Sequence, residues 1–306
     1  MTKTALILGP SGKIGRHAAR AFAAQGWQVR SYRRGTDMKV AARGVDVIVN
    51  GLNPPNYHNW ATLIPQITRD VIAAAKASGA TVILPGNVYN FGAEPGSWSE
   101  ATPQRPVSRK GRIRVEMEAA YRASGVQTIV LRAGNFIDPE HNGDVMSLAL
   151  MRTIGKGKLT AMGRTDAMQA YAYLPDWARA AALLADRRES LERFADIPFP
   201  GHAFTLEELR VTLEAALGRK VGVTAFPWWL FTVLSPVWEL AREMREMRYL
   251  WNTPHALDGA KLRRSLPDFQ PTEPIDAVRA SLSGCGQLHG LNTGPLAPAK
   301  GSAITA

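Results

Sequence analysis

The stretch Thr4 to Gly15, Thr-Ala-Leu-Ile-Leu-Gly-Pro-Ser-Gly-Lys-Ile-Gly, constrains the fold more than any other part of the chain. Ala5 to Leu8 is a short apolar run of buried-strand type, and Gly9, Gly12 and Gly15 fall three apart where a helix should begin. A turn of this kind needs small residues so that backbone N–H groups can approach a pyrophosphate, with the positive end of a helix dipole behind them. Ser11 adds a hydroxyl that can donate or cap, Lys13 and Ile14 belong to the same cofactor-binding turn, and the amphipathic run Ile14 to Ala24 follows. A second strand, Gln28 to Tyr32, follows Gly26. A glycine string in this strand–turn–helix context is the pattern of a dinucleotide-binding unit.

The rest of the first half repeats the alternation, which predicts a doubly wound parallel α/β sheet of Rossmann type. Asp46 to Asn50 reads as a strand ending in Gly51-Leu52-Asn53-Pro54-Pro55, followed by a helix from Trp60 to Ala77. Thr81 to Leu84 is the next strand, with Pro85 to Gly92 as its loop. A helix over Ile113 to Ala123 leads to the strand Thr128 to Leu131, which ends at Arg132-Ala133-Gly134-Asn135-Phe136. In such sheets ligands sit beyond the carboxyl ends of the strands, so these loops should line the site.

The second half is less regular. Gly143 to Ile154 reads as a helix, Gly155 to Gly163 as a turn and short strand, and Gln169 to Leu174 as an aromatic strand before a helix over Ala178 to Leu184. Thr205 reads as the N-cap of a helix that stops at Gly218. Pro227 to Trp251 carries Trp228, Trp229, Phe231, Trp238 and Trp251 at helical spacing, a stripe expected mainly in the core, with an apolar lid or a dimer face as alternatives. The expected division is a dinucleotide-binding domain over 1–138, to which 171–200 returns. A smaller, mostly helical substrate-binding part covers 139–170 and 201–283, and a Gly/Pro/Ser-rich tail covers 284–306.

Composition narrows the function classes. With 45% hydrophobic and 21% charged residues in 306, the chain can bury a large core, and no apolar run approaches the roughly 20 residues of a membrane span. A cytoplasmic location is expected, without a membrane partner. The net charge of +11 invites a nucleic-acid reading. Against it, basic residues are spread along the chain, and the densest cluster, Arg105 to Arg114, lacks interleaved aromatics, so no nucleic-acid partner is expected. The lone Cys285 excludes an internal disulfide, and no His/Cys/Asp/Glu set has metal-ligand spacing.

Taken in order, several phrases resemble the short-chain dehydrogenase/reductase superfamily, in its extended or atypical, epimerase/dehydratase-like branch. The carriers are Gly9-x-x-Gly12-x-x-Gly15, Val88-Tyr89-x-x-Gly92, Leu131-Arg132-Ala133-Gly134-Asn135-Phe136, Tyr173-Leu174-Pro175-Asp176-Trp177-Ala178 and Leu266-Pro267-Asp268-Phe269. The resemblance runs from Lys3 to about Leu282. It implies a nicotinamide dinucleotide, held at the pyrophosphate by the glycine turn and flanked at the ribose by Gly51, Leu52 and Asn53. An acidic residue after the second strand would bind the 2′-hydroxyl of NAD, whereas Arg33 and Arg34 stand here. A guanidinium pair suits a 2′-phosphate, so NADP(H) is favoured over NAD(H), with Asp37 able to restore some NAD tolerance.

The superfamily's Tyr-x-x-x-Lys motif is missing. Aligning Glu116 with the family's later glutamate puts Ser108 in the tyrosine's place and Arg112 in the lysine's. Arginine is no proton shuttle and serine is a poor acid. Tyr89 and Lys110 are then the relocated candidates for proton transfer, and Asn87, Tyr89, Asn135 and Phe136 surround nicotinamide and substrate. His58, His141 and His202 are weaker acids of the same kind. Three functions follow. The first is an NADPH-dependent reductase of a carbonyl or activated double bond in a small, apolar substrate; the second, a non-catalytic NADP(H)-sensing regulator; the third, a nucleotide-sugar epimerase or dehydratase. The helix from Val115 to Ala123 offers a homodimer face.

Overall fold

A computed structural model describes residues 2–140 and 143–283. The chain runs β1 (Thr4–Leu8), α1 (Lys13–Ala24), β2 (Gln28–Ser31), α2 (Met38–Ala41), β3 (Val47–Asn50), α3 (Trp60–Ser78), β4 (Thr81–Gly86) and β5 (Gly96–Trp98). It continues through α4 (Arg109–Ser124), β6 (Thr128–Arg132), β7 (Asn135–Ile137), β8 (Lys158–Ala161), β9 (Gln169–Tyr173), α5 (Leu174–Asp186), β10 (Phe194–Pro198) and β11 (His202–Phe204). After these come α6 (Leu206–Leu217), β12 (Gly222–Ala225), α7 (Trp228–Leu234), α8 (Glu239–Glu246), β13 (His255–Leu257), α9 (Ala260–Ser265) and α10 (Pro274–Ser283).

The apolar runs pair into a six-stranded sheet in the order β10-β6-β4-β3-β1-β2, every neighbour parallel. Parallel strands need crossover helices on both faces, and alternate side chains of each strand feed two cores. On one face Phe22, Trp27, Trp177 and Phe199 pack with the alanines of α5, whose small side chains let α5 lie close to α1. The Trp177 indole donates to the Leu131 carbonyl at 3.0 Å, tying α5 to β6. On the other face Trp60, Ile64, Val71, Met117 and Tyr121 cover the sheet from α3 and α4. Strand order reverses between β1 and β3, so their carboxyl ends open onto the switch-point crevice.

Three expectations change. Gly143 to Ile154 is not a regular helix: a π turn over Met146–Leu150 is its core, and it turns Met146, Leu150, Met151 and Ile154 together into the second-half core. α4 begins at Arg109, before Ile113, because the Ser108 hydroxyl accepts from Gly111 N at 3.0 Å and caps the helix. The aromatic stripe is split. Trp228 is buried and its indole donates to Met162 O at 2.7 Å, whereas Trp229 on the same short helix is 70% exposed and Trp238, just before α8, 41% exposed.

The expected cap at Thr205 forms a full capping box with Glu208, and Gly218 ends α6 at φ +63°. Two short parallel pairs, β12 with β8 and β13 with β5, stitch distant segments together. Among the described residues no helix is long and apolar enough to cross a membrane. His141, Cys285 and the 284–306 tail lie outside the described residues.

Candidate functional site

The glycine turn is built by close approach. Gly9 sits at φ +72°, and a side chain there would meet the Gly51 carbonyl oxygen at 3.1 Å. At Gly15 an added Cβ would lie 2.1 Å from the Gly9 oxygen, which no packing tolerates. Gly12 N donates to Gly9 O at 3.0 Å and the Gly12 carbonyl accepts from Arg16 N, so Gly12 is the cap of α1. No side chain caps this helix and no acid stands in its first turn, and Ser11, exposed, takes no capping role. The amino end of α1 therefore turns its positive dipole, with no acid in the first turn, toward an anion. Ile14 is buried beneath the turn. Lys13 reaches across to the Gly143 carbonyl at 2.8 Å, its pKa held down by burial against the pull of Asp144 and Asp138.

Gly51 continues β3 through its hydrogen bond to Leu8 O, and Leu52 N donates to Asn50 Oδ1 at 3.2 Å. The two loops at the switch point thus meet backbone to backbone. Arg33 and Arg34 follow β2, both exposed and in no salt bridge among the described residues. Asp37, in contrast, is committed: its carboxylate caps α2 by accepting from Lys39 N and Val40 N.

Around the loops after β3 and β4 lies a cluster of phenols and cations. Asn87 Oδ1 accepts from Tyr89 N at 3.0 Å, holding the loop so that the Tyr89 hydroxyl stands 3.2 Å from that of Tyr57. The Lys110 ammonium lies 5.0 Å from the Tyr57 ring centroid. Arg114 donates to Asn53 Oδ1 at 2.8 Å and stacks over Trp60 at 4.6 Å. Burial pulls the Arg114 pKa down, while Tyr89, Glu118, Tyr57 and Tyr121 pull it back up. Tyr57 was not singled out by sequence, since a lone tyrosine in a Pro/Asn loop carries no motif.

The register of α4 differs from the one read with Glu116. Glu116 and Arg112 are exposed on the outer side of the helix. The buried glutamate is Glu118, paired with Arg132 at the end of β6, and anchoring on it moves the reading by two residues. Lys110 then stands in the tyrosine's place and Arg114 in the lysine's. Ser108 is buried as a helix cap, and Lys110 is fully buried, its ammonium paired with Glu243 and with Glu246 at 2.5 Å on α8.

Phe136 packs edge-on against Trp177 at 6.0 Å, in the α1/α5 core, and Asn135 is half-buried on β7. His58 is exposed and shares 2.8 Å with Glu239. His202 is buried, which lowers its pKa. His17, Asp138 and Glu140 converge within 4.8 Å, but His17 and Asp138 bond each other at 2.9 Å and Arg16 and Arg20 engage Glu140. A cavity of about 470 Å³ opens beside β10, away from the switch point, and its lining includes two ion pairs, Lys261 with Glu192 and Arg264 with Glu100.

No protein-family model matches the sequence, and no curated protein matches it. Solved structures do. A UDP-glucuronic acid 4-epimerase from Bacillus cereus, in complex with UDP-glucuronic acid and NAD, superposes with a TM-score of 0.73 at 15% identity, covering 92% of this chain and 98% of that one. A putative epimerase from Burkholderia cenocepacia gives 0.73 at 17%, covering 92% and 97%. The chain has the extended short-chain dehydrogenase/reductase fold. A nucleoside-diphosphate-sugar epimerase from Staphylococcus aureus has the same fold, with a TM-score of 0.68 at 16% identity and coverage of 92% and 100%. The likeness thus spans both halves of this short-chain fold.

Proposed function

We propose that this chain is an NADP(H)-dependent oxidoreductase that reduces a carbonyl or activated double bond in a small apolar substrate. The observation that carries the reading is the contact of Gly9 with Gly51 beside the uncapped amino end of α1. It leaves a cradle that only glycine permits and an unneutralised helix dipole, and so fits a pyrophosphate. Arg33 and Arg34, exposed and outside any salt bridge among the described residues, suit a 2′-phosphate, and the commitment of Asp37 to α2 removes it as a ribose ligand.

Bound reduced nicotinamide would supply hydride. The protein's part is to orient the acceptor and to give a proton to its oxygen. Tyr89 serves as that donor, because neither group in the family's catalytic places can: Lys110 is locked by two carboxylates and Arg114 does not release its proton. Arg114 acts instead as a fixed charge beside the phenols, and its bond to Asn53 holds the ribose-side loop. The domain division, with residues 201–283 supplying the substrate side, is part of the same reading.

A second reading is epimerisation of a nucleotide sugar. The solved neighbours with this fold include a UDP-glucuronic acid 4-epimerase, and the likeness extends over the second half of the chain. Fluorescence titration with NADPH and NADH, repeated on Arg33→Ala/Arg34→Ala, tests the cofactor assignment. Preferential NADPH binding, lost in the variant and followed by turnover in a carbonyl screen, supports the reductase. Tight NADH binding with activity only on UDP-sugars supports the epimerase. Binding without turnover on either set indicates a sensor, and no binding to a folded protein overturns all three.

A further inference from the structure

We infer that Tyr57 is a positioning residue for Tyr89, a hydroxyl donor that holds the Tyr89 phenolate once its proton has gone. The inference rests on the reading of Tyr89 as proton donor but concerns a residue that neither motif nor fold assigns.

The geometry is specific. The two hydroxyls lie 3.2 Å apart, and Tyr57 sits on a loop with a costly backbone. Asn56, Tyr57 and Asn59 stand at φ +53°, +61° and +45°, and among the described residues they are the positive-φ residues other than glycine. Asparagine visits this region at little cost, but a bulky tyrosine there is an outlier of the kind that surrounding structure must impose. That structure is present. Trp60 packs edge-on against the Tyr57 ring at 5.1 Å, the Lys110 ammonium lies over its face, and Glu239 of α8 engages His58 and the Asn59 N–H. Strain held in place by three elements, and aimed at one hydroxyl, is the signature of preorganisation.

The direction of the hydrogen bond follows from the surroundings. Burial, with Tyr89 and Glu243 adding to it and Arg114 opposing, pushes the Tyr57 phenol well above its ordinary range, so Tyr57 keeps its proton. When Tyr89 passes its O–H proton to a substrate oxygen, the oxygen left behind is an anion, and the Tyr57 O–H donates to it without itself ionising. The other charged and titratable groups facing the pair are Arg114 and Lys110 on α4, Glu243 and Glu246 on α8, and Tyr249. The cations favour the phenolate, and the two carboxylates are held by Lys110 and Arg109. A hydrogen bond donated to the charged form favours that form.

The test reads Tyr89 directly in the full chain, without substrate. Labelling with 3-fluorotyrosine gives a 19F resonance for each tyrosine; those of Tyr89 and Tyr57 are identified by their loss in Tyr89→Phe and Tyr57→Phe. Alkaline titration should give a Tyr89 pKa about tenfold more basic, about one unit, in Tyr57→Phe than in the unchanged chain. Tyr32→Phe, which removes a distant hydroxyl, should leave it alone. If Tyr57→Phe fails to fold, the unchanged chain still decides, because a second tyrosine resonance should shift at the Tyr89 midpoint, which is assigned through Tyr89→Phe. An unmoved Tyr89 pKa, or no second tyrosine resonance that follows Tyr89 ionisation, overturns the inference. Coupling without turnover on any substrate would count against the oxidoreductase reading alone, and turnover without coupling against the role of Tyr57 alone.

Discussion

Glu118 and Arg132 meet as a buried fork, with Arg132 Nη1 at 3.0 Å from Glu118 Oε1 and Nη2 at 2.7 Å from Oε2. The same guanidinium also bonds both oxygens of Asp196 and the Asn87 carbonyl, so β6, β10, α4 and the loop after β4 share one cation. This fork fixes which face of α4 looks inward, and hence that Lys110 and Arg114 face the site while Arg112 does not.

Glu118→Gln should therefore cost about 3–5 kcal/mol, the range for breaking a buried pair and leaving its partner charge short of compensation. Urea unfolding monitored by tryptophan fluorescence measures it. A loss below about 1 kcal/mol would show that Asp196 alone satisfies Arg132.

Gly15→Ala adds one methyl where the Gly9 oxygen stands 2.1 Å away. The turn must open, and dinucleotide affinity should fall at least tenfold by fluorescence titration. Gly26→Ala is the control: its added Cβ meets nothing within 4 Å, and although φ +76° carries strain, its dinucleotide affinity should stay unchanged.

Lys110→Met removes the cation between Glu243 and Glu246 while keeping the length of the stem. Glu243 is 3% exposed, and its carboxyl, raised by burial, is held below the ordinary range by Lys110 and Arg109. Loss of one of these partners should loosen α8 from α4, read as faster proteolysis within 235–247 and destabilisation of about 3 kcal/mol. Equal proteolysis rates would mean that Arg109 suffices.

Acidification should destabilise the fold before carboxylates titrate. The imidazole of His255 stacks on Trp98 at 4.6 Å, its Nδ1 bonds Thr253 O, and its buried Nε2 has no hydrogen-bond partner among the described residues. Burial lowers its pKa, as it does for His202. The unfolded chain, with histidines near 6.5, binds more protons between those lowered values and about pH 6.5, so the stability they contribute is complete above about pH 6.5 and falls as pH drops below it. Urea unfolding across this window should show the slope. His255→Phe, which keeps the stack and removes the titration, should flatten it, and an unchanged slope would refute the assignment.

The order of elements was legible from the chain because each signal is local. Apolar runs of four or five residues, glycines three apart and the Thr205/Glu208 box act within one turn of backbone, and they fixed β1, α1, β3, β4 and α6 to within a residue or two. The glycine cradle was legible for the same reason, since the crowding of Gly9 and Gly15 arises inside one turn. What the sequence could not supply was which residues of one helix face the site. Glu116 and Glu118 are equally good glutamates on paper, and only the position of Arg132, on a strand reached after a further turn, selects Glu118. Tyr57 was hidden in the same way: its role comes from a left-handed backbone imposed by Trp60, Lys110 and Glu239, residues that stand together only once α8 has packed against α4. Local propensity wrote the fold, and long-range packing of buried charge decided the site.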